Sequence, residues 1–153
     1  MFRLTPIASI WMKSMAQPIK VLFDLNVILD VLQKREPFYE HSARILAYAE
    51  TGKIKGWVAA HSITTLFYLV AKSQSAEMAR LTLNSLLQFL SVAAVDQSVV
   101  EQAMNLAYRD FEDAAQMMCA VQNKVDYLVT RNVRDFQPAL LSVIQPVDLV
   151  ALI

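Results

Sequence analysis

Four short apolar runs, each followed by a stretch of helical periodicity, restrict what this chain can fold into more than any other feature. Val21-Leu22-Phe23, "IKGWVAA", "SVAAV" and "DYLVT" show little of the polar alternation of a half-exposed strand. Strands covered on both faces read this way, and such strands belong to parallel sheets. Ile28, Leu29, Val31 and Leu32 then fall at helical spacing, and "YEHSARILAYAETGK" reads as a helix stopped by Gly52. "HSITTLFYLVAKS" and "SAEMARLTLNSLLQFL" follow, the second with Ser75 as its N-cap, and Asp96 caps "QSVVEQAMNLAYR". A further helix runs through Gln122, "RNVRDFQP" reads as a loop, and a last strand precedes a short helix beginning at Pro146. The alternation predicts a three-layer α/β/α domain with a central parallel sheet of four or five strands.

Of the 153 residues, 56% are hydrophobic and 18% charged, which excludes disorder and calls for a large core. Residues 1–18 are expected to be a poorly ordered leader, with Met15 as a natural start, and 19–153 to be one domain. Fourteen basic and fourteen acidic residues leave no net charge, which argues against a broad basic face for nucleic acid. So apolar a chain is expected to cover part of its surface with a partner or a second copy. Cys119 is the only cysteine, so no intrachain disulfide forms, as suits a cytoplasmic protein. No apolar run reaches the roughly 18 residues that span a membrane. With only Gly52 and Gly56, the chain has no Gly-rich phosphate loop.

The acids fall at telling places. Parallel α/β sheets bind ligands at the carboxyl ends of their strands. Asp24 ends the first strand, Asn132 and Asp135 follow the fourth, and Asp110 and Asp113 open the helix leading into it. Three distant segments thus bring oxygen ligands toward one sheet edge. Clustered carboxylates repel, and a hard cation such as Mg²⁺ or Mn²⁺ relieves that repulsion. A water activated there can attack a phosphodiester, so the reaction class is metal-dependent phosphodiester hydrolysis.

"FDLNVILDVL", "DFEDAAQMMCA" and "YLVTRNVRDF", in this order and spacing, resemble the PIN-domain ribonucleases, among them the VapC-type toxins of bacterial toxin–antitoxin pairs. The resemblance runs from about Ile19 to the C-terminus. It implies a Mg²⁺- or Mn²⁺-dependent endoribonuclease acting on RNA, a homodimer, and a cognate antitoxin. Asp24 matches the family's first metal-binding acid and Asp113 the acid opening its Asp-Ala helix. Asn26 matches a bracing Asn, Asn132 falls where many members carry a fourth acid, and Thr130 and Asp135 match the polar residues beside it. Asp110 offers a further carboxylate one turn before Asp113. The sequence departs from the family at the helix after the second strand, where many members carry a Glu. Here no acid lies between Glu50 and Glu77.

Each residue also has a plainer role. Asp24 could N-cap the helix after it, Asp113 could favour its helix dipole, and Asp110 and Glu112 could be solvated first-turn acids. Asn132 and Asp135 could structure their own loop. Arg131 and Arg134 could hold RNA phosphates or be solvated. His41 and His61 read as structural, and Cys119 as core. Two other functions compete with the nuclease. A catalytically idle PIN-like module would bind RNA or protein and would lack metal affinity. A phospho-acceptor receiver domain would need an acidic pair at the first strand end, which "FDLN" does not supply.

Overall fold

The computed structural model describes residues 17–153. Most of the expected leader therefore lies outside the described residues. In chain order the elements are β1 (Lys20–Phe23), α1 (Leu25–Leu32), α2 (Tyr39–Glu50), β2 (Lys55–Ala59), α3 (Ala60–Ser73), α4 (Ala76–Leu86) and β3 (Leu90–Ala93). They continue with α5 (Gln97–Met104), α6 (Phe111–Gln122), β4 (Tyr127–Val129), β5 (Ser142–Ile144) and α7 (Pro146–Leu152). The segment expected as a loop after β4 contains a single 3₁₀ turn, Val133–Phe136.

The five strands are all parallel, in the order β3-β2-β1-β4-β5. This is the three-layer α/β/α architecture with helices on both faces of one sheet. Alternation along each strand supplies the two cores. Val21, Phe23, Val58 and Val129 pack with α1, α2, α3, α4 and α7 on one face. Leu22, Ala59, Leu128 and Ala93 pack with α5 and α6 on the other. The strand order reverses direction between β1 and β4, which is where an open parallel sheet leaves a crevice at its carboxyl edge.

The local signals hold where they were chemically definite. Ser75 Oγ accepts from the Met78 amide at 3.0 Å, and Asp96 Oδ1 accepts from the Val99 amide at 3.0 Å. That cap holds the Asp96 carboxyl below the usual range, with Gln122 adding a second hydrogen bond. Gly52 sits past the end of α2 with φ +82°, a conformation that favours glycine. Pro146 opens α7.

Gly56 is required for a different reason. A Cβ there would lie 2.6 Å from Leu90 Cδ2, 3.0 Å from Ala49 Cβ and 3.1 Å from Phe23 Cε2, where β2 meets β1, β3 and α2. Leu90 can swing away, but Ala49 and the Phe23 ring cannot move without disturbing the core. Gly56→Ala is expected to lower stability by roughly 1–3 kcal/mol through overpacking, read as a lower urea midpoint at unchanged denaturant slope.

Candidate metal centre at the β1/β4 crevice

Asp24 ends β1 and is 3% exposed. Although it occupies the N-cap position of α1, its side chain makes no capping hydrogen bond. Its carboxylate turns into the crevice instead. Oδ1 accepts from Gln116 Nε2 at 3.1 Å, and Oδ2 accepts from the Thr130 hydroxyl at 2.8 Å. The Thr130 hydroxyl in turn accepts from the Asn132 amide at 3.1 Å. The two residues stand side by side because Leu22 and Phe23 pair in register with Leu128 and Val129. Burial pushes the Asp24 carboxyl up from its ordinary value, against the opposing pull of Gln116 and Thr130.

Asp110 is the N-cap of α6. Its Oδ1 accepts from the Glu112 amide at 2.8 Å and from the Asp113 amide at 3.4 Å. The plain capping role is thus real for Asp110, and the same residue also lines the crevice. Asp113, in the first turn, is half-buried. Burial first, then Asp24, Asp110, Asp135 and Glu112, push its carboxyl up to about 7.

The structure brings the sequence-derived residues together. Asp24, Asn26, Asp110, Asp113, Asn132 and Asp135 line one cleft of about 170 Å³. That is room for several waters at the ~30 Å³ each occupies in the liquid. Besides the apolar Leu25 and Phe136, two further polar residues line it. Glu112 is not a freely solvated acid: its carboxylate takes a long 3.5 Å contact from the Thr65 hydroxyl, and its carbonyl lies 3.2 Å from His61 Nε2, both on α3. Gln116 is 1% exposed, and its Oε1 has no hydrogen-bond partner. One polar residue inside the buried run Ala114–Ala120 was the signal for it, since a buried Gln is kept where its amide is used.

Arg131 is neither a merely solvated loop residue nor an uncommitted cation. Its Nε lies 2.8 Å from Oδ2 of the fully buried Asp30, its Nη2 donates to Oδ1 at 3.4 Å, and its guanidinium covers the Phe38 ring at 4.2 Å. Asp30 needs that cation, because a buried carboxylate without a partner is strongly unfavourable. Arg134 is exposed, in the 3₁₀ turn. Cys119 is buried in α6 with its thiol pushed up to about 11 by burial, as a core residue should be.

The donors around the cleft are all oxygens, which suits a hard cation. Gln116 Oε1 has no partner among the described residues, and a cation bound beside Asp24 and Asp113 would offset the burial and mutual repulsion that push their carboxyls up. No trio of His, Cys, Asp or Glu among the described residues closes on a metal without help. An ion held here would have to keep much of its water shell and lean on one or two carboxylates, as Mg²⁺ can.

A doubly covered parallel sheet with an oxygen-lined crevice at its switch point is an α/β domain built to handle a ligand at that edge. The PIN-domain family model matches residues 20–134, and the chain belongs to that family. In structure it is similar to a chain of a toxin–antitoxin complex from Klebsiella pneumoniae, at 20% identity and TM-score 0.63, over 82% of this chain and 97% of that one. It is also similar to VapBC-1 from nontypeable Haemophilus influenzae, at 16% identity and TM-score 0.66, over 84% and 99%. A third similar structure is VapC20 from Mycobacterium tuberculosis, described as a toxin cleaving the sarcin-ricin loop, at 14% identity and TM-score 0.57, over 71% and 86%. Comparison with curated proteins gives no match. No helix among the described residues is long and apolar enough to cross a membrane.

The raised Asp113 carboxyl has a consequence for stability. Its folded value of about 7 lies above the ordinary 3.8, so between them the folded chain holds a proton that the unfolded chain has released. Its contribution is therefore full below about pH 4 and declines as pH rises toward 7. Urea unfolding across that range should show a falling stability whose slope flattens in Asp113→Asn. An identical slope in the variant would contradict the assignment.

Proposed function

We propose that the chain is a metal-dependent endoribonuclease that hydrolyses RNA phosphodiester bonds, the toxin of a toxin–antitoxin pair. The observation that carries this reading is the meeting of Asp24 and Asp113 beside the unpartnered Gln116 amide oxygen at the sheet's switch point. Membership of the PIN-domain family and the likeness to VapC-type toxins support it. Asp24 and Asp113 are the proposed principal ligands and catalytic acids, with Asp110, Asn132 and Asp135 as further oxygen donors and Asn26 and Thr130 as supports. Bound there, Mg²⁺ or Mn²⁺ would supply an activated water and offset charge at the phosphate.

The chain's own residues do the rest. Thr130 and Gln116 hold both oxygens of Asp24, so its orientation is set before substrate arrives. Asp113, whose carboxyl is pushed up by burial and by the acids around it, would be held ionised by the bound cation and so give up its proton on metal binding. Arg134 at the exposed rim contacts phosphate. A homodimer, a cognate antitoxin that covers the cleft, and a cytoplasmic setting complete the proposal. The free buried Cys119 agrees with a reducing compartment.

The idle binding module remains the second reading, favoured by the absence of any acid on α3 and of a closed metal-binding trio among the described residues. Calorimetric titration with Mn²⁺ separates the two. The unsubstituted chain should bind, and Asp24→Asn combined with Asp113→Asn should not. Thr130→Val should weaken binding by about 10–100-fold, as for a lost supporting hydrogen bond. No heat in the unsubstituted chain would favour the idle module. Binding would then be followed by cleavage of a mixed RNA pool, with the double variant as the blank.

A further inference from the structure

We infer that Arg109 and Arg134 form a phosphate-binding track for single-stranded RNA across the mouth of the acidic cleft, with Arg131 taking no part. The inference rests on the ribonuclease reading and names how that substrate is held.

Three recesses meet at one side chain. Asp135 lines the acidic cleft, an adjoining recess with Arg109, Asp110 and Asp113, and a third with Arg131, Asn132, Arg134 and Gln145. Sharing Asp135, they adjoin at the carboxyl edge of the sheet, and of the two recesses outside the acidic cleft one is lined by Arg109 and the other by Arg134 with the committed Arg131. Arg109 is exposed and makes neither salt bridge nor hydrogen bond with the described residues, although three carboxylates share its recess. A cation so placed is available to an incoming anion.

Arg109 is also well anchored through its neighbour. The Tyr108 ring meets Phe136 edge-on at 6.4 Å, and the Tyr108 hydroxyl donates to the Pro138 carbonyl. Phe136 follows Asp135 directly, so this contact holds the loop carrying Arg109 against the turn carrying Arg134 and Asp135. Arg131 stands next to Asn132 in sequence, yet its guanidinium is committed to Asp30.

Charge explains why such a track is needed. Five acids, Asp24, Asp110, Glu112, Asp113 and Asp135, line the cleft, and the whole chain carries no net charge. A polyanion enters only if cations at the margins take its phosphates. Two separated arginines suit a single strand with few contacts, whereas a duplex calls for a broad basic face.

The test is binding of a labelled mixed-sequence RNA of about twelve nucleotides, within the usual span of single-strand sites, by fluorescence anisotropy in EDTA at a series of salt concentrations. For single strands each phosphate contact contributes about 0.7 to the slope of log K against log salt. Arg109→Gln and Arg134→Gln should each reduce the slope by about 0.7 and the pair by about twice that. Arg131→Gln should leave the slope unchanged and lower the urea midpoint. An unchanged slope in Arg109→Gln, a slope lost in Arg131→Gln, tighter binding of the matching duplex, or no RNA binding at all would overturn the track. Mn²⁺ calorimetry on the same proteins keeps the two readings apart. Mn²⁺ binding without the slope change sinks the track alone, and the slope change without Mn²⁺ binding sinks the metal-dependent nuclease and leaves the track.

Discussion

The burial of one carboxylate organises this molecule. Asp24 lies between two parallel strands at the point where the sheet's winding reverses, and it keeps its place through a hydroxyl on one side and an amide on the other. Both partners come from segments some ninety or more residues away, Gln116 on α6 and Thr130 after β4. Satisfying Asp24 therefore requires β1, β4 and α6 to be in register together. A buried acid left unpaired is strongly unfavourable, so polar pairing and apolar packing select the same arrangement.

Around it, a second buried acid does a structural version of the same work. Asp30 sits nearly two helix turns further along α1 and holds Arg131, with Arg35 at 3.6 Å as a weaker companion. The two aspartates divide the roles: one is held by neutral donors and keeps a face toward the cleft, and the other is neutralised by cations. Neutral donors leave Asp24 with unspent negative charge, which is what a site for a cation needs.

Much of the fold was legible because it rests on local rules. Short apolar runs marked β1 to β4, and Ser75, Asp96, Gly52 and Pro146 marked helix ends through chemistry that involves only their neighbours. The sites of Asp24, Asp113 and Asp135 were legible from the rule that strand ends collect ligands. What the sequence hid was pairing at a distance. Nothing near Arg131 announces that Asp30 will claim it, and nothing near Glu112 announces Thr65 and His61. Gln116 left a trace, as a lone amide in a buried run, but its partner did not.

The junction between β2 and α3 has no loop: Ala59 ends the strand and Ala60 begins the helix. His61 then reaches the backbone of α6 from the first turn. The α6 bank of the cleft is thus backed by continuous regular structure with no slack for inserted or deleted residues. The other bank, 131–141, is a 3₁₀ turn and irregular chain pinned mainly by Phe136 and Tyr108. Over evolutionary time the two banks should age at different rates. Descendants of this chain would keep the first and rewrite the second, changing what the rim of the cleft can contact while the sheet beneath stays as it is.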